Sequence, residues 1–378
     1  MKHIIVVTTS FPDLAFRKGQ EAAGMFVHDF VVELGQYMSV TVIAPSSHER
    51  IEKLNNLTIV RFAVPLLPLS LLKFSNPVHW GSIFKTLRSG QNAVLKTVQE
   101  KHVDHIFALW ALPCGYWAKI AGAKSNVPYS TWALGSDIWT LGRIPFVKEM
   151  LKIVLRSSRY RFADGYQLSD DVKTLCGLEC TFLPSARNLP ILRKKKLSIA
   201  PPYTLTYLGR WHPHKGIDLL LESLHLLNED DWKKISSVQI CGGGNLEPIV
   251  RKQCEKLRNF GRPVRMSGYL NRQEASDLLA NTDFLMLPSR IESIPVIFSD
   301  AMKTYCPIIS MPVGDLPRLV EQYCVGILSK SVTSFDFAQA IANALKSNPF
   351  HFSNQLEKAS SQFDSKKIVA NFLNEIQF

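Results

Sequence analysis

Short runs of valine, isoleucine and leucine recur along the chain, each followed by a longer amphipathic stretch. Such strands alternating with helix-length segments are typical of a parallel sheet covered by helices on both faces. In the first half we predict strands at 4–9, 40–44, 59–64, 105–110, 129–134 and 165–168. The pattern begins again in the second half, at 205–209, 238–241, 264–267, 284–287, 308–311 and 326–328. The alternation therefore predicts an α/β protein with two doubly wound domains.

Chain length and one internal stretch predict the domain limits. A chain of 378 residues exceeds the usual size of one domain. Residues 184–203 read PSARNLPILRKKKLSIAPPY, and consecutive lysines with paired prolines are typical of an exposed linker. We therefore predict domains at 1–190 and 200–358, followed by an amphipathic helix at about 360–378.

Charge and cysteine content indicate the class of partner and the compartment. The formal net charge of +12 favours an anionic partner, such as a phosphorylated small molecule, a membrane surface or nucleic acid. The seven cysteines include no C-x-x-C pair, which is typical of a reduced cytosolic protein. No apolar stretch is long enough to span a bilayer. We therefore expect a cytoplasmic protein that can also bind the inner face of the membrane peripherally.

Basic residues and glycines follow two predicted strands of the second half. In GRWHPHKGIDLLLESL, Arg210 and Lys215 precede an amphipathic helix, and two cations beside a helix N-terminus can bind phosphate. The other interpretation is an exposed loop with two solvated charges. After the next strand, glycines 242–244 allow either a close approach of the backbone to a ligand or a tight turn.

The stretch PSRIESIPVIFSDAMK, residues 288–303, carries two carboxylates eight residues apart after another predicted strand. Pro295 suits the first turn of a helix, which places Glu292 in the loop and Asp300 inside the helix. A loop carboxylate can contact sugar hydroxyls and a helical one a ribose diol, while the N–H groups of residues 293–296 face phosphates between them. The spacing fits a sugar nucleotide. The alternative is a surface pair without a ligand.

The order of these sites resembles a known family. The stretches GRWHPHKGIDLLLESL, ICGGGNLEP, VRMSGYL, TDFLMLPSRIESIPVIFSDAMK and PIISMPVGDLPRLVE are similar to the nucleotide-binding domain of retaining glycosyltransferases of the family-four type, the glycosyl transferases group 1. Weaker similarity covers SFPDLAFRKGQEAAGMFVHDFVVEL, DHIFALWALPCGYWA and STWALGSDIW in the first half. The resemblance implies the GT-B fold. In that fold two Rossmann-like domains face each other across a cleft, the first binds the acceptor, and the C-terminal helix crosses back to it.

The resemblance also implies roles for individual residues. Arg210 and Lys215 would neutralise the leaving diphosphate. Glu292 would contact the donor sugar, and Asp300 would hold the ribose. In the first domain, Gly24 would approach the diphosphate or the acceptor, and Asp137 would face the cleft. The other implied contacts of the nucleotide sugar are Gly209, Gly242, Gly244, Gly268, Tyr269, Ser293, Ile294, Pro295 and Val296.

Three positions depart from the family's pattern. The second acid of the family's glutamate pair is Asp300, one methylene shorter, and Leu134 stands where a histidine is common beside the reacting sugar. Asp315 replaces a common glycine. Activity is still expected, because in a retaining front-face reaction the leaving phosphate can accept the proton of the acceptor hydroxyl.

The aspartates indicate a reaction without a metal ion. Transferases of the other major fold hold a divalent cation with a D-x-D pair, and no two aspartates of this chain are separated by one residue. Arg210, Lys215 and helix N-termini can stabilise the leaving diphosphate instead. His212 and His214 do not show the spacing of metal ligands. We expect no metal and no cofactor apart from the donor substrate.

Two stretches of the first domain combine basic and apolar side chains. In residues 145–162, cations at 148, 152, 156 and 159 follow helical spacing, which predicts either a helix lying on anionic lipid or a solvated basic face. Residues 66–87, LLPLSLLKFSNPVHWGSIFKTL, are a second candidate for a lipid surface, or else an acceptor-binding loop. No nucleic-acid motif accompanies the charge, so no nucleic-acid partner is expected.

Together these features predict a nucleotide-sugar-dependent hexosyltransferase. It would retain configuration and add a sugar to a hydroxyl of a glycan or lipid-linked acceptor, in cell-surface polysaccharide biosynthesis. One alternative is a sugar-nucleotide epimerase of the same fold, which would turn over the donor without an acceptor. Another is a catalytically silent nucleotide-binding protein, which slow donor hydrolysis would exclude.

Overall fold

The computed structural model describes residues 2–13, 24–54, 56–67, 69–73, 75–189, 193 and 196–377. The chain divides into two compact units. The first consists of Met1–Ser185 and Ser365–Phe378, and the second of Ala186–Asp364.

The first unit contains a parallel sheet with one antiparallel edge. Its strands are β1 (His3–Val7), β2 (Ser39–Ser46), β3 (Arg50–Leu54), β4 (Leu57–Ala63), β5 (His105–Leu109), β6 (Tyr129–Ala133), β7 (Tyr160–Ala163) and β8 (Thr181–Phe182). The described strands are ordered β3-β4-β2-β1-β5-β6-β7-β8. Only the β3–β4 pair in this order is antiparallel, and neither β3 nor β8 was predicted. The helices before the second unit are α1 (Met25–Leu34), α2 (Trp80–Glu100), α3 (Tyr116–Ser125), α4 (Ser136–Trp139), α5 (Pro145–Ser157) and α6 (Tyr166–Cys176).

The strand predicted at 165–168 is wrong. The strand is β7, five residues earlier, and residue 166 already begins α6. Leu168 and Val172 are both buried and lie four residues apart, which is the spacing of one helix face. Arg161 interrupts the apolar character of β7, so a search for valine and isoleucine runs passes over this strand.

The second unit contains a fully parallel sheet. Its strands are β9 (Tyr203–Arg210), β10 (Ile235–Gly243), β11 (Val264–Ser267), β12 (Phe284–Leu287), β13 (Ile308–Ser310) and β14 (Gly326–Leu328), ordered β11-β10-β9-β12-β13-β14. All six coincide with predicted strands. Its helices are α7 (Ile217–His225), α8 (Glu229–Trp232), α9 (Glu247–Asn259), α10 (Arg272–Ala280), α11 (Val296–Lys303), α12 (Leu316–Tyr323), α13 (Ser334–Ala344) and α14 (Ser353–Gln362).

The last helix, α15 (Ser365–Glu375), packs on the first sheet. The ring centroid of Phe372 lies 4.3 Å from that of Phe107 in β5 and 5.4 Å from that of Phe30 in α1. Side chains alternate between the two faces of a strand, so Ile106 and Ala108 of β5 face the other way, into a core shared with α2, α3, α5 and α6. The first sheet is therefore covered by helices on both faces.

Where the structure describes it, the predicted linker packs on the second unit. The Arg193 guanidinium donates to the carbonyl oxygens of Thr304 at 2.8 Å and Leu279 at 3.1 Å, and also to that of Thr282. Lysines 194 and 195 lie outside the described residues. The second unit thus runs from 186 to 364 rather than from 200 to 358. Composition did not show this because the accepting carbonyls lie 86 to 111 residues further along the chain.

No helix among the described residues combines the length and the apolar character needed to cross a bilayer.

Candidate active site

The loops after β9, β10, β12 and β13 leave the second sheet at one edge, because its strands are parallel. In doubly wound sheets ligands bind beyond this carboxyl edge. Arg210 is the last residue of β9, Lys215 lies in the loop that follows it, and Glu292 lies in the loop after β12. The edge therefore carries the side chains predicted to act on a donor.

Lys215 and Glu292 form an ion pair between two of these loops. The Ser289 hydroxyl donates to the same carboxylate oxygen, Oε1 of Glu292, at 3.1 Å. Both charged side chains are mostly but not fully covered. The pair is thus held in place while part of it still faces solvent.

Gly216 allows the two loops to lie so close. Its φ of 64° is in the left-handed region, and a Cβ there would lie 1.8 Å from the carbonyl oxygen of Pro288. Both conditions exclude a side chain at this position. Backbone packing therefore positions the Lys215 loop against the Glu292 loop.

Arg290 cross-links the same loops, and the sequence prediction missed it. Its guanidinium donates to both carboxylate oxygens of Asp218, at 2.8 and 2.7 Å, and to the Pro213 carbonyl at 2.7 Å. Burial by itself would raise the pKa of Asp218, but the hydrogen bonds and charge of Arg290 lower it below its ordinary value. The sequence showed only that a cation stands two residues before Glu292. It did not show that this cation pairs with Asp218.

Arg210 ends β9, and its side chain is exposed. Its carbonyl accepts the Tyr207 hydroxyl at 2.9 Å, which holds the backbone at the start of the loop. Arg210 and Lys215 thus lie at the two ends of one loop. Lys215 contacts Glu292, while Arg210 faces solvent.

Five residues predicted to contact the nucleotide lie where backbone segments approach each other closely. They are Gly209, Gly242, Gly244, Gly268 and Tyr269. Gly242 has φ 147°, and a Cβ there would lie 1.9 Å from the Gly209 carbonyl oxygen. The Tyr269 hydroxyl donates to the Gly243 carbonyl at 2.8 Å. Tight packing is sufficient to explain Gly242, and contact of this group with a nucleotide stays a prediction.

Residues 293–296 lead into α11, with Pro295 as its N-cap and Ile294 buried. Proline has no N–H, so the predicted row of donors is wrong at Pro295. The Phe298 amide donates to the Pro295 carbonyl at 2.8 Å, whereas the amides of residues 296 and 297 have no acceptor within the helix. The buried hydroxyl of Ser293 has no hydrogen-bond partner among the described residues. A polar ligand that reached this helix end would find unpaired donors.

Asp300 is in the second turn of α11 and has no exposed surface. The Arg187 guanidinium donates to both carboxylate oxygens, with 3.4 Å between Nε and Oδ1. The Arg187 carbonyl accepts the Lys303 ammonium at 2.5 Å. Arg187 thus occupies the carboxylate that was predicted to hold the ribose, and the ribose contact stays a prediction. The aspartate is one methylene shorter than glutamate, which keeps its carboxylate close to the helix, where Arg187 covers it.

In the first unit, the two residues predicted to contact the nucleotide sugar or the acceptor are Gly24 and Asp137. Both lie next to backbone atoms of other segments of that unit. Gly24 precedes α1, and a Cβ there would lie 2.8 Å from the Cα of Phe11. Asp137 is buried and accepts the N–H groups of Ala111 at 2.7 Å and Leu134 at 3.2 Å. Burial raises the pKa of Asp137 to about 6, and these hydrogen bonds oppose the increase. Asp137 thus joins the loops after β5 and β6, and its contact with the nucleotide sugar stays a prediction.

The predicted basic helix is α5, which ends at residue 157, so Arg159 lies outside it. The Lys152 ammonium donates to the Glu149 carboxylate at 2.7 Å. The Arg156 guanidinium donates to the Cys176 carbonyl at 3.0 Å. Two of the cations predicted for this face therefore form hydrogen bonds within the protein.

Comparison with known families shows which family the second unit matches. Residues 190–363 match the glycosyl transferases group 1. The second unit is therefore a glycosyl transferases group 1 domain, and we call the chain the glycosyltransferase. The glycosyltransferase is 23% identical to TuaC of Bacillus subtilis, whose name assigns it to teichuronic acid biosynthesis, over 82% of this chain and 79% of that one. It is 22% identical to N-acetyl-alpha-D-glucosaminyl L-malate synthase of Bacillus anthracis, over 73% of this chain and 75% of that one.

Solved structures confirm the predicted GT-B fold of the glycosyltransferase. HepE of Anabaena, in complex with UDP and glucose, has a TM-score of 0.72 at 15% identity, with 100% of both chains covered. Sucrose-phosphate synthase from Thermosynechococcus elongatus has a TM-score of 0.76 at 15% identity, with 100% of this chain and 98% of that one covered.

Asp137→Asn is expected to destabilise the first unit of the glycosyltransferase by about 1–3 kcal/mol, the cost of leaving a buried donor unsatisfied. An asparagine oxygen accepts one of the two N–H groups, while its NH₂ group faces the other. Urea unfolding followed by circular dichroism measures the change. Asp170→Asn, at an exposed position of α6, is the matched control. Equal stability of the two variants would contradict a role for Asp137 in joining the loops.

Proposed function

We propose that the glycosyltransferase moves a sugar from a nucleoside-diphosphate sugar to a hydroxyl of a glycan or lipid-linked acceptor, with retention at the anomeric carbon. The observation that carries the proposal is the Lys215–Glu292 pair at the carboxyl edge of the second sheet. It combines a cation for a diphosphate with a carboxylate for sugar hydroxyls. The unpaired donors at the start of α11 lie in the same loop as Glu292.

Stabilisation of the leaving group is the main chemical task. When the bond between the anomeric carbon and the diphosphate oxygen breaks, its electron pair leaves with the diphosphate. Lys215 and Arg210 would stabilise this negative charge, together with the N-terminal amides of α11. Because the β9 loop is tied to the β12 loop through Gly216 and Arg290, Lys215 is positioned before the reaction. Such preorganisation adds no reorganisation cost during the chemical step.

Retention follows if the acceptor oxygen attacks the face that the diphosphate leaves. The new bond then joins the acceptor oxygen to the anomeric carbon, and the acceptor proton passes to an oxygen of the leaving phosphate. This route requires no protein base at Leu134. Glu292 would orient the donor sugar through its hydroxyl groups, in place of its present contact with Lys215.

The relatives support the substrate classes. HepE of Anabaena was solved with UDP, with UDP-glucose, and with UDP and glucose. The name of TuaC places that relative in teichuronic acid biosynthesis. We therefore propose a nucleotide-sugar donor without a further cofactor, and an acceptor presented at the cytoplasmic face of the membrane.

Glu292→Gln tests this function, because it retains the shape of the side chain and removes its charge. We expect turnover to fall roughly 10- to 100-fold, the equivalent of losing about 1.5–3 kcal/mol from a hydrogen bond to a charged group. Affinity for the free nucleoside diphosphate should change little, because the diphosphate does not contain the sugar. Nucleoside diphosphate release from a panel of UDP- and GDP-sugars, with and without glycan acceptors, measures turnover. Calorimetry measures affinity.

The control is Glu321→Gln, at an exposed position of α12. Assays in excess chelator test independence from divalent cations, and loss of activity there would refute the metal-free part of the proposal. Equal turnover of Glu292→Gln and wild type would remove Glu292 from the donor site. Donor turnover that never requires an acceptor would favour an epimerase.

A further inference from the structure

Helix α2 presents an apolar stripe to solvent. Trp80, Phe84 and Leu87 are 59%, 63% and 38% exposed, and their spacing of four and three residues places them on one face. Val78, just before the helix, is 83% exposed. We call these four residues the α2 stripe. The stripe widens the apolar face of α2 beyond its buried part, and a contiguous apolar patch that stays exposed in this way is typical of an interaction surface.

Packing of the adjacent face of α2 determines which way the stripe points. Gly90 of α2 lies against the indole of Trp117 in α3, where a Cβ would come within 2.4 Å of the ring. Ile83 and Val94 are buried on the same side of α2. The helix therefore cannot rotate to bury the stripe without losing this contact.

The charged residues of the segment that carries the stripe have one sign. Residues 53–99 contain no aspartate or glutamate. Lys85 and Arg88 are exposed on α2, and Lys73 is exposed shortly before the helix. An apolar face bordered only by cations along this segment is complementary to an anionic bilayer surface, where Trp and Phe lie at the interface and cations contact headgroups.

Helix α5 offers a weaker face of the same kind. Phe146 and Ile153 are 76% and 54% exposed. Glu149 lies among its cations, however, and pairs with Lys152. The two helices contribute to one core cluster of the first unit, so α5 provides a matched comparison for α2.

We propose that the α2 stripe docks the glycosyltransferase on an anionic lipid surface. Trp80 and Phe84 enter the interfacial layer, while Lys85 and Arg88 contact lipid phosphates. The sequence offered two candidate lipid surfaces, residues 66–87 and the basic helix. The proposal assigns lipid binding to the first of them. It does not depend on the identity of the donor.

Sedimentation with vesicles tests the proposal. Vesicles of phosphatidylcholine with about one third phosphatidylglycerol are compared with pure phosphatidylcholine, at low and physiological salt, because headgroup charge and screening govern this binding. We expect binding to the anionic vesicles that weakens as salt rises. Quenching of tryptophan fluorescence by bromine-labelled acyl chains reports insertion of Trp80, and should be lost in Trp80→Ser.

Two paired variants separate the apolar and the electrostatic contributions. Trp80→Ser with Phe84→Ser should reduce partitioning at least about tenfold. Lys85→Gln with Arg88→Gln should reduce it about 25-fold at low salt, at about fivefold per cation. The matched control is Phe146→Ser with Ile153→Ser on α5. Urea midpoints and donor turnover without vesicles should match wild type in all three, which shows that each variant is folded.

Three results would overturn the proposal. The first is the absence of binding to anionic vesicles at low salt. The second is loss of binding in the α5 variant but not in the α2 variants, which would move the docking face to α5. The third is a raised KM for a water-soluble acceptor in the α2 apolar variant with unchanged vesicle binding, which would make the stripe an acceptor subsite.

Discussion

Lys215→Ala is expected to reduce turnover about 10²- to 10³-fold, as found when one preorganised charge-stabilising group is removed from an active site. The ammonium of Lys215 contacts Glu292 and lies in a loop whose backbone is held by Gly216. A replacement therefore removes the charge without moving the loop. The same assay of nucleoside diphosphate release measures the effect.

The fold should survive this substitution. Glu292 keeps the hydroxyl of Ser289 at 3.1 Å and retains some exposure to water, so its charge is not left isolated. Lys252→Ala, at an exposed position of α9, is the matched control. Wild-type turnover in a folded Lys215→Ala variant would contradict the assignment of Lys215 to the leaving diphosphate.

Arg187→Met is expected to destabilise the second unit by about 3–5 kcal/mol, the usual cost of breaking a buried ion pair from one side. The side chain of Asp300 has no exposed surface, so the substitution leaves a buried carboxylate without its cation. Adding Asp300→Asn to this variant should restore most of the loss, because the uncompensated charge is then absent. Urea unfolding of the single and double variants measures both changes.

A further variant of the same ion pair tests the predicted ribose contact. If Asp300 binds the nucleotide after Arg187 moves, Asp300→Ala should weaken nucleoside diphosphate binding by about 1–3 kcal/mol. If Asp300 only anchors Arg187, affinity should be unchanged while stability falls. Both expectations assume that the carboxylate of Asp300 is buried against Arg187. Equal stability of Arg187→Met and wild type would contradict that assumption.

Much of the fold could be predicted from local sequence. Strands buried on both faces of a sheet are nearly continuously apolar, so the runs that became β1 and β12 were visible without any tertiary information. Lys215 and Glu292 could be placed together because both follow parallel strands, whose carboxyl ends share one edge. Strand β7 was missed because Arg161 breaks the apolar run.

The sequence by itself thus determined two doubly wound units, the group of residues at the edge of the second sheet, and the apolar and basic segment around α2. Only the tertiary structure decided which charges neutralise each other. Arg187 and Asp300 are 113 residues apart in the chain, and Arg290 and Asp218 are 72 apart. Hydrophobic periodicity depends on near neighbours, whereas an ion pair and the burial of a carboxylate depend on which distant loops come within hydrogen-bond distance. That distance is set by the packing of the whole unit.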